Sequence, residues 1–332
     1  MTVASAVGSM PGSTAEEYDE ALRSVLGELP DLPHLPELPG RGPTASMTGR
    51  ALAVLADLDA DLQPAGWRLT GSSGSPGIDH RRARSLLAQD LDALEEQADG
   101  YTGRLKVQVT GPWTLAATVE KPRGDRLLSD HGARRELAEA LAEGLRDHVA
   151  DVRRRLPGAA LVVQVDEPAL PSVLAGQVPT ASGLHRHRSV DRPEASALLE
   201  QVFTAVTESG AVPVAHCCAA DAPIDLLVGA GAHGVSVDLA VLAPSAYDDV
   251  ATLLEKGAPV LLGVVPAIEP ATPPGDKALT DRVLRFLDML GFDPAAVTDA
   301  LVVTPACGLA GASPAYSLAA LKQTRDVARH LS

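Results

Sequence analysis

A parallel α/β fold, closed as a (β/α)8 TIM barrel, is what this chain of 332 residues predicts. Three observations carry that expectation. Short apolar runs alternate with longer amphipathic ones, the pattern of strand–helix–strand units on a parallel sheet. Eight such runs fit as strands, at residues 5–7, 67–70, 105–110, 161–165, 212–216, 234–238, 260–264 and 301–304, the number a closed barrel requires. No Gly-rich dinucleotide fingerprint follows the first run, which weighs against the rival doubly wound open sheet.

The first hundred or so residues are the least regular. Residues 30–43 carry Pro30, Pro33, Pro36, Pro39 and Pro43, and residues 71–77 are rich in Gly and Ser. Both read as loops over the barrel mouth, because proline removes a ladder donor and glycine frees the backbone. The stretch 79–98 reads as a helix begun by an Asp cap, with Leu86, Leu87, Leu91 and Leu94 on one face. Residues 132–156, 193–208, 246–255, 276–290 and 313–330 read as helices too. The last opens Ser313-Pro314, a capping residue followed by proline at the first helical position. The chain 1–332 is expected to form a single barrel domain.

Composition narrows the setting. A hydrophobic fraction of 45% suffices for a large core, and 3% aromatics leave Ala, Val and Leu to build it. A formal charge of -15 argues against nucleic acid and anionic membrane surfaces as partners. No apolar run reaches the roughly 20 residues of a membrane span, and the first residues lack the pattern of a signal peptide. With three cysteines, two of them adjacent, a reducing cytoplasmic location is expected, where clustered Cys and His point to metal or catalysis rather than disulfides.

All three cysteines fall in His216-Cys217-Cys218 and Pro305-Ala306-Cys307-Gly308, and a third stretch, Val235-Ser236-Val237-Asp238, ends in a carboxylate. Each lies at or just past the end of a strand-like run, where barrel ligands converge. Residues two apart on a strand face the same side, so His216 and Cys218 can share a site while Cys217 faces away. Imidazole, thiolate and carboxylate together suit Zn²⁺. Taken singly, each could equally be a core cysteine or a loop acid. Asp166-Glu167-Pro168 follows the apolar run 161–165. Carboxylates there are costly unless a cationic group such as an α-ammonium uses them, or unless they cap the next helix. Gly8 and Ser9 offer a close backbone approach and a hydroxyl, or an ordinary turn. Trp113, in Gly111-Pro112-Trp113-Thr114, is placed to stack on a flat ring or to pack. His185 and His187 alternate with Arg186 and Arg188 and read as a solvated basic loop rather than a metal pair.

Taken in order, these stretches resemble the cobalamin-independent methionine synthase family, and within it the C-terminal catalytic barrel. The specific pieces are Gln164-Val165-Asp166-Glu167-Pro168-Ala169-Leu170, His216-x-Cys218, Pro305-x-Cys307-Gly308-Leu309 and Thr110-Gly111-Pro112-x-Thr114. The resemblance implies a zinc-dependent methyl transfer to the thiol of homocysteine, giving methionine. It implies His216, Cys218 and Cys307 as zinc ligands. It also implies Asp166, with Glu167 beside it, on the substrate ammonium, Gly8 and Ser9 near its carboxylate, and Trp113 toward the methyl donor.

Two positions depart from the family. Asp238 stands where the family's fourth ligand is a glutamate, and Ile268 falls where the family has a histidine that assists proton transfer from folate. The family's long members carry a second barrel that helps to bind polyglutamyl folate, for which this chain has no room. Methyltetrahydrofolate and methylcobalamin both remain as donors, the latter with a corrinoid protein as partner. The alternatives are an alkyl transfer to another thiol, such as coenzyme M, and a non-catalytic zinc-bound barrel.

Overall fold

The computed structural model describes residues 1–71 and 76–332. Its strands are β1 (Val3–Ala4), β2 (Asp59–Gln63), β3 (Gly66–Gly71), β4 (Arg104–Thr110), β5 (Ala160–Asp166), β6 (Val212–Cys217), β7 (Gly234–Asp238), β8 (Val260–Val265) and β9 (Leu301–Pro305). The helices are α1 (Ala15–Glu28), α2 (Met47–Val54), α3 (Ile78–Gln97), α4 (Pro112–Thr118), α5 (His131–Arg155), α6 (Leu170–Leu174), α7 (Arg192–Glu208), α8 (Ile224–Gly229), α9 (Tyr247–Glu255), α10 (Asp276–Leu290), α11 (Pro294–Val297) and α12 (Pro314–His330).

Seven strands form one parallel sheet in the order β1-β9-β8-β7-β6-β5-β4. Their runs of Val and Leu are almost wholly buried, as expected for a parallel sheet covered by helices. The curled sheet and its ring of helices give a TIM-barrel-like α/β fold.

The gap between β4 and β1 is closed by an extended segment, residues 33–37. Lys106 N donates to Pro33 O at 2.9 Å and Leu35 N to Lys106 O at 2.9 Å on the β4 side. Glu37 N donates to Gly8 O at 3.1 Å and Met10 N to Glu37 O at 2.8 Å on the β1 side. His34 bridges Lys106 and Ser9 bridges Glu37, both in the parallel sense. Pro33 and Pro36 have no N–H to give, so the segment makes isolated bridges instead of a ladder.

This corrects the expected role of two stretches. Part of the proline-rich region 30–43 is barrel wall, not only a loop over the mouth. Residues 67–70 are not a barrel strand: β3 pairs antiparallel with β2, Trp67 opposite Leu62, in a hairpin outside the barrel. The hairpin turns into Gly66, whose φ of 123° suits glycine. Of the Gly/Ser-rich stretch 71–77, residues 72–75 lie outside the described residues. Asp79 sits inside the first turn of α3, whose cap position is Gly77. The Ser313-Pro314 start of α12 is as expected, with Ser313 Oγ accepting from Tyr316 N at 3.1 Å. No described helix is long and apolar enough to cross a membrane.

Candidate metal centre and substrate cavity

Strand alternation brings the soft ligands together. His216 is the penultimate residue of β6, Cys217 turns into the core, and Cys218 emerges just past the strand end. Cys307 follows β9 by two residues, and there Ala306 N still bonds Val265 O at 2.8 Å while Leu309 N bonds Ser9 O at 2.7 Å. Those bonds fold the end of β9 back over the mouth. Gly308 permits the approach, since a Cβ there would lie 2.0 Å from Ser9 Oγ.

The ligand atoms of His216, Cys218 and Cys307 all lie within 4.8 Å of one another. Cys218 Sγ and Cys307 Sγ lie 3.3 Å apart in hydrogen-bond contact, and His216 Nδ1 is 3.0 Å from Ser236 Oγ. Ser236 therefore fixes one face of the imidazole, leaving Nε2 as the nitrogen available to the cluster. The hydrogen bond shared with Cys218, then His216, pulls Cys307 down to about 4, while the same shared bond pushes Cys218 up. Cys217 is pushed up to about 12 by burial, as a structural thiol should be.

The donor set fits a soft divalent metal. Two thiolates on tetrahedral zinc stand roughly 3.7 Å apart by its geometry, so the 3.3 Å pair needs to open by only a few tenths of an ångström. Asp238, expected as the fourth ligand, is not brought into this group. It is one methylene shorter than a glutamate, and its Oδ1 accepts from Ala240 N at 2.8 Å. Burial raises its carboxyl, with Cys307 adding to the effect, so it stands beside the cluster.

The same cavity, of about 310 Å³, is lined by Gly8, Ser9, Glu37, Met47, Gln108, Asp166, His216, Cys218, Cys307 and Gly308 among others. Asp166 Oδ1 accepts from Gln164 Nε2 at 2.7 Å, and that amide also donates to Val7 O at 2.9 Å. Lys106 Nζ, fully buried, donates to the same carbonyl at 2.8 Å. These bonds hold the Val7-Gly8-Ser9 backbone at the floor of the site. A Cβ on Gly8 would lie 2.7 Å from the Gln108 side chain, so glycine is required there by close approach. Burial pulls Lys106 down and pushes Asp166 up, and the charge of each opposes the shift of the other.

Glu167 and Trp113 take other roles. Glu167 Oε1 accepts from Trp113 N at 2.8 Å, and Oε2 accepts from Thr114 N at 2.8 Å and Thr114 Oγ1 at 2.7 Å. Both oxygens are consumed in capping α4, away from the cavity lining. Burial pushes its carboxyl up to about 7 against these donors. Trp113 is fully buried, its Nε1 donating to Ala195 O at 3.0 Å, with the Arg134 guanidinium 5.8 Å from its ring centre. It packs beneath the rim and presents no face to a ligand. His185 is exposed as expected, but His187 is buried, its Nε2 3.4 Å from Asp125 Oδ1.

Sequence reasoning missed Glu37, Gln108 and Lys106. For the last two a signal existed: Lys106, Gln108 and Thr110 alternate with apolar residues along β4, which places a polar row on one face of a buried strand. Glu37 had no such signal among its prolines.

A TIM-barrel-like fold with a His/Cys/Cys cluster at the carboxyl ends of its strands defines a class of candidate metal-dependent barrels. A model of the cobalamin-independent synthase catalytic domain matches residues 93–330, and the chain belongs to that family. Among solved structures, a B12-independent methionine synthase from Shewanella sp. W3-18-1, in complex with selenomethionine, is 16% identical with a TM-score of 0.65, covering 100% of this chain and 98% of that one. At that identity the likeness speaks for the fold. A 2,3-dimethylmalate lyase is 12% identical with a TM-score of 0.39, covering 99% and 83%, and carries no argument. No curated protein matches.

Proposed function

We propose that this protein methylates the thiol of homocysteine to give methionine, with one zinc ion held by His216, Cys218 and Cys307. The observation that carries this reading is the convergence, in one cavity, of a soft-ligand cluster and a set of groups suited to an α-amino acid. Zinc bound there supplies a Lewis acid that keeps a substrate thiol deprotonated at neutral pH. Ser236 orients the imidazole from behind, and Asp238 stands next to the cluster without joining it.

The protein's own groups bind the other end of the substrate. Asp166 and Glu37 offer carboxylates to an ammonium, and the Gly8-Ser9 backbone, with the Ser9 hydroxyl, faces a carboxylate. Behind them, Lys106, Arg41 and Arg50 stand against Asp166, Glu37 and Asp90. Cations and carboxylates are matched, so a zwitterion enters without leaving an unbalanced buried charge. An anionic thiol such as coenzyme M would leave one, which favours homocysteine.

The donor side reads differently. Ile268, just beyond β8, is 73% exposed, and the ionisable residue next to it in the chain, Glu269, accepts from Ser313 Oγ at 3.1 Å. Neither residue is among those lining the cavity, and Ile268 has no proton to give. Methylcobalamin, free or on a corrinoid protein, needs no such proton, and it is the donor this arrangement favours over methyltetrahydrofolate.

The test is a methylation assay of zinc-loaded protein. Homocysteine and coenzyme M serve as acceptors, and methylcobalamin and mono- or polyglutamylated methyltetrahydrofolate as donors. Methionine formed from methylcobalamin is the expected product. Turnover with folate alone would overturn the donor assignment. Methylation of coenzyme M in preference to homocysteine would overturn the acceptor. Stoichiometric zinc with no turnover of any pair would leave a non-catalytic barrel.

A further inference from the structure

Glu37 reaches the cavity from a thin part of the barrel wall, the proline-broken segment 33–37. Its carboxylate is nevertheless fixed. Oε1 accepts from Gln108 Nε2 at 3.0 Å and lies 3.5 Å from Arg50 Nε. Arg50, on α2, is itself buried and hydrogen-bonds Asp90 on α3 through Nη1. Arg41 then grips both oxygens of Asp90, Nη1 to Oδ1 and Nη2 to Oδ2, each at 2.8 Å, and stacks 4.5 Å from the ring centre of Tyr18 on α1. The chain of contacts runs from the cavity to the outer helices without an exposed member.

A buried ion network is a poor stabiliser in general, because desolvation offsets the attraction. This one is aimed at a single carboxylate that lines the substrate cavity, and its members come from α1, α2, α3 and the segment between α1 and α2. We propose that Arg50 is a positioning residue: it holds the Glu37 carboxylate pointed at the substrate ammonium, while Asp90 and Arg41 fix Arg50 in turn. The inference rests on the reading of the cavity as an amino-acid thiol site.

The electrostatic surroundings agree in sign. Burial raises the Glu37 carboxyl, and Arg50, Gln108 and Lys106 work against it, while Asp90 adds to the rise. Asp166 is the remaining carboxylate facing Glu37. Removing the Arg50 charge subtracts the largest opposing contribution, so Glu37 would take a proton at higher pH and lose its hold on an ammonium there.

The test compares homocysteine with 4-mercaptobutyrate, the same thiol acid lacking the amine, by calorimetric titration of zinc-loaded wild type, Arg50→Lys, Arg50→Gln, Glu37→Gln and the Arg50→Gln/Glu37→Gln double variant. The expected result is that Arg50→Gln weakens homocysteine on the order of tenfold, the scale of one charge-assisted contact. It should also move the acidic limb of binding upward in pH and leave 4-mercaptobutyrate and zinc content unchanged. Arg50→Lys should recover part of the loss, and the double variant should bind homocysteine no worse than Glu37→Gln alone. Equal weakening of both thiols by Arg50→Gln, or a further loss in the double variant, overturns the positioning role. If Arg50→Gln does not fold, the charge-retaining Arg50→Lys decides: homocysteine affinity and pH limb identical to wild type overturn the proposal. If wild type itself fails to prefer homocysteine, the amino-acid reading of the cavity falls, and Arg50 with it.

Discussion

The two halves of the cavity are built by opposite means. The metal half rests on β6 and β9, regular strands in a continuous parallel ladder, and its three ligands follow from strand alternation and strand ends. The carboxylate half joins Asp166, at the end of the regular strand β5, to Glu37 on the proline-broken segment 33–37, and the geometry of that segment's carboxylate is held by side chains, Arg50 and Gln108. Where the backbone ladder is complete, the side chains are free to face a ligand. Where it is interrupted, side chains must first hold the wall.

Substitutions can break this comparison, beginning on the metal side. Cys307→Ser is expected to abolish stoichiometric zinc and reduce homocysteine methylation by roughly a thousandfold or more, since a hydroxyl is a poor replacement for a thiolate ligand. Metal analysis together with turnover checks this, and full zinc occupancy in the variant would count against the cluster.

On the carboxylate side, Asp166→Asn should keep zinc and raise KM for homocysteine by on the order of a hundredfold, the scale of losing a buried ion pair to the substrate. Steady-state kinetics beside metal analysis separates the two halves. A variant that also loses zinc would show that they are not independent.

The neighbouring carboxylate sharpens the contrast. Glu167→Gln should cost about 1–3 kcal/mol of stability, because an amide keeps one accepting oxygen while its NH2 cannot accept the remaining donors that cap α4. KM should move little. Denaturant unfolding read against kinetics tells these apart, and a large KM effect with unchanged stability would return Glu167 to the substrate.

The smallest effect is expected at Asp238. Asp238→Ala should retain one zinc, with affinity changed by less than about tenfold, in the range of altering a group outside the ligand set. Competition with a chelator measures it, and loss of the metal would make Asp238 a ligand after all.

The same contrast explains what could be read from the sequence. His216, Cys218 and Cys307 were legible because strands have a fixed period and the cysteines are few. Asp166 was legible as a costly charge at the end of an apolar run, but its separation from Glu167 was not: adjacent residues look alike until one is seen to cap a helix. Trp113 looked available because its neighbours form a strand-end turn, and only packing shows its indole N–H already spent on Ala195. The eighth wall element was illegible for a stated reason. Prolines at 33 and 36 erase the strand pattern, and the apolar run 67–70 imitates it.

The seam at residues 33–37 has a mechanical consequence. Four backbone bonds join it to its neighbours, two on each side, so this is one of the thinner seams of the wall. Glu37 is stitched into that seam. An ammonium drawn to its carboxylate would pull the seam toward β5 and Asp166 on the other side of the cavity. Filling the pocket and fastening the barrel would then be a single movement.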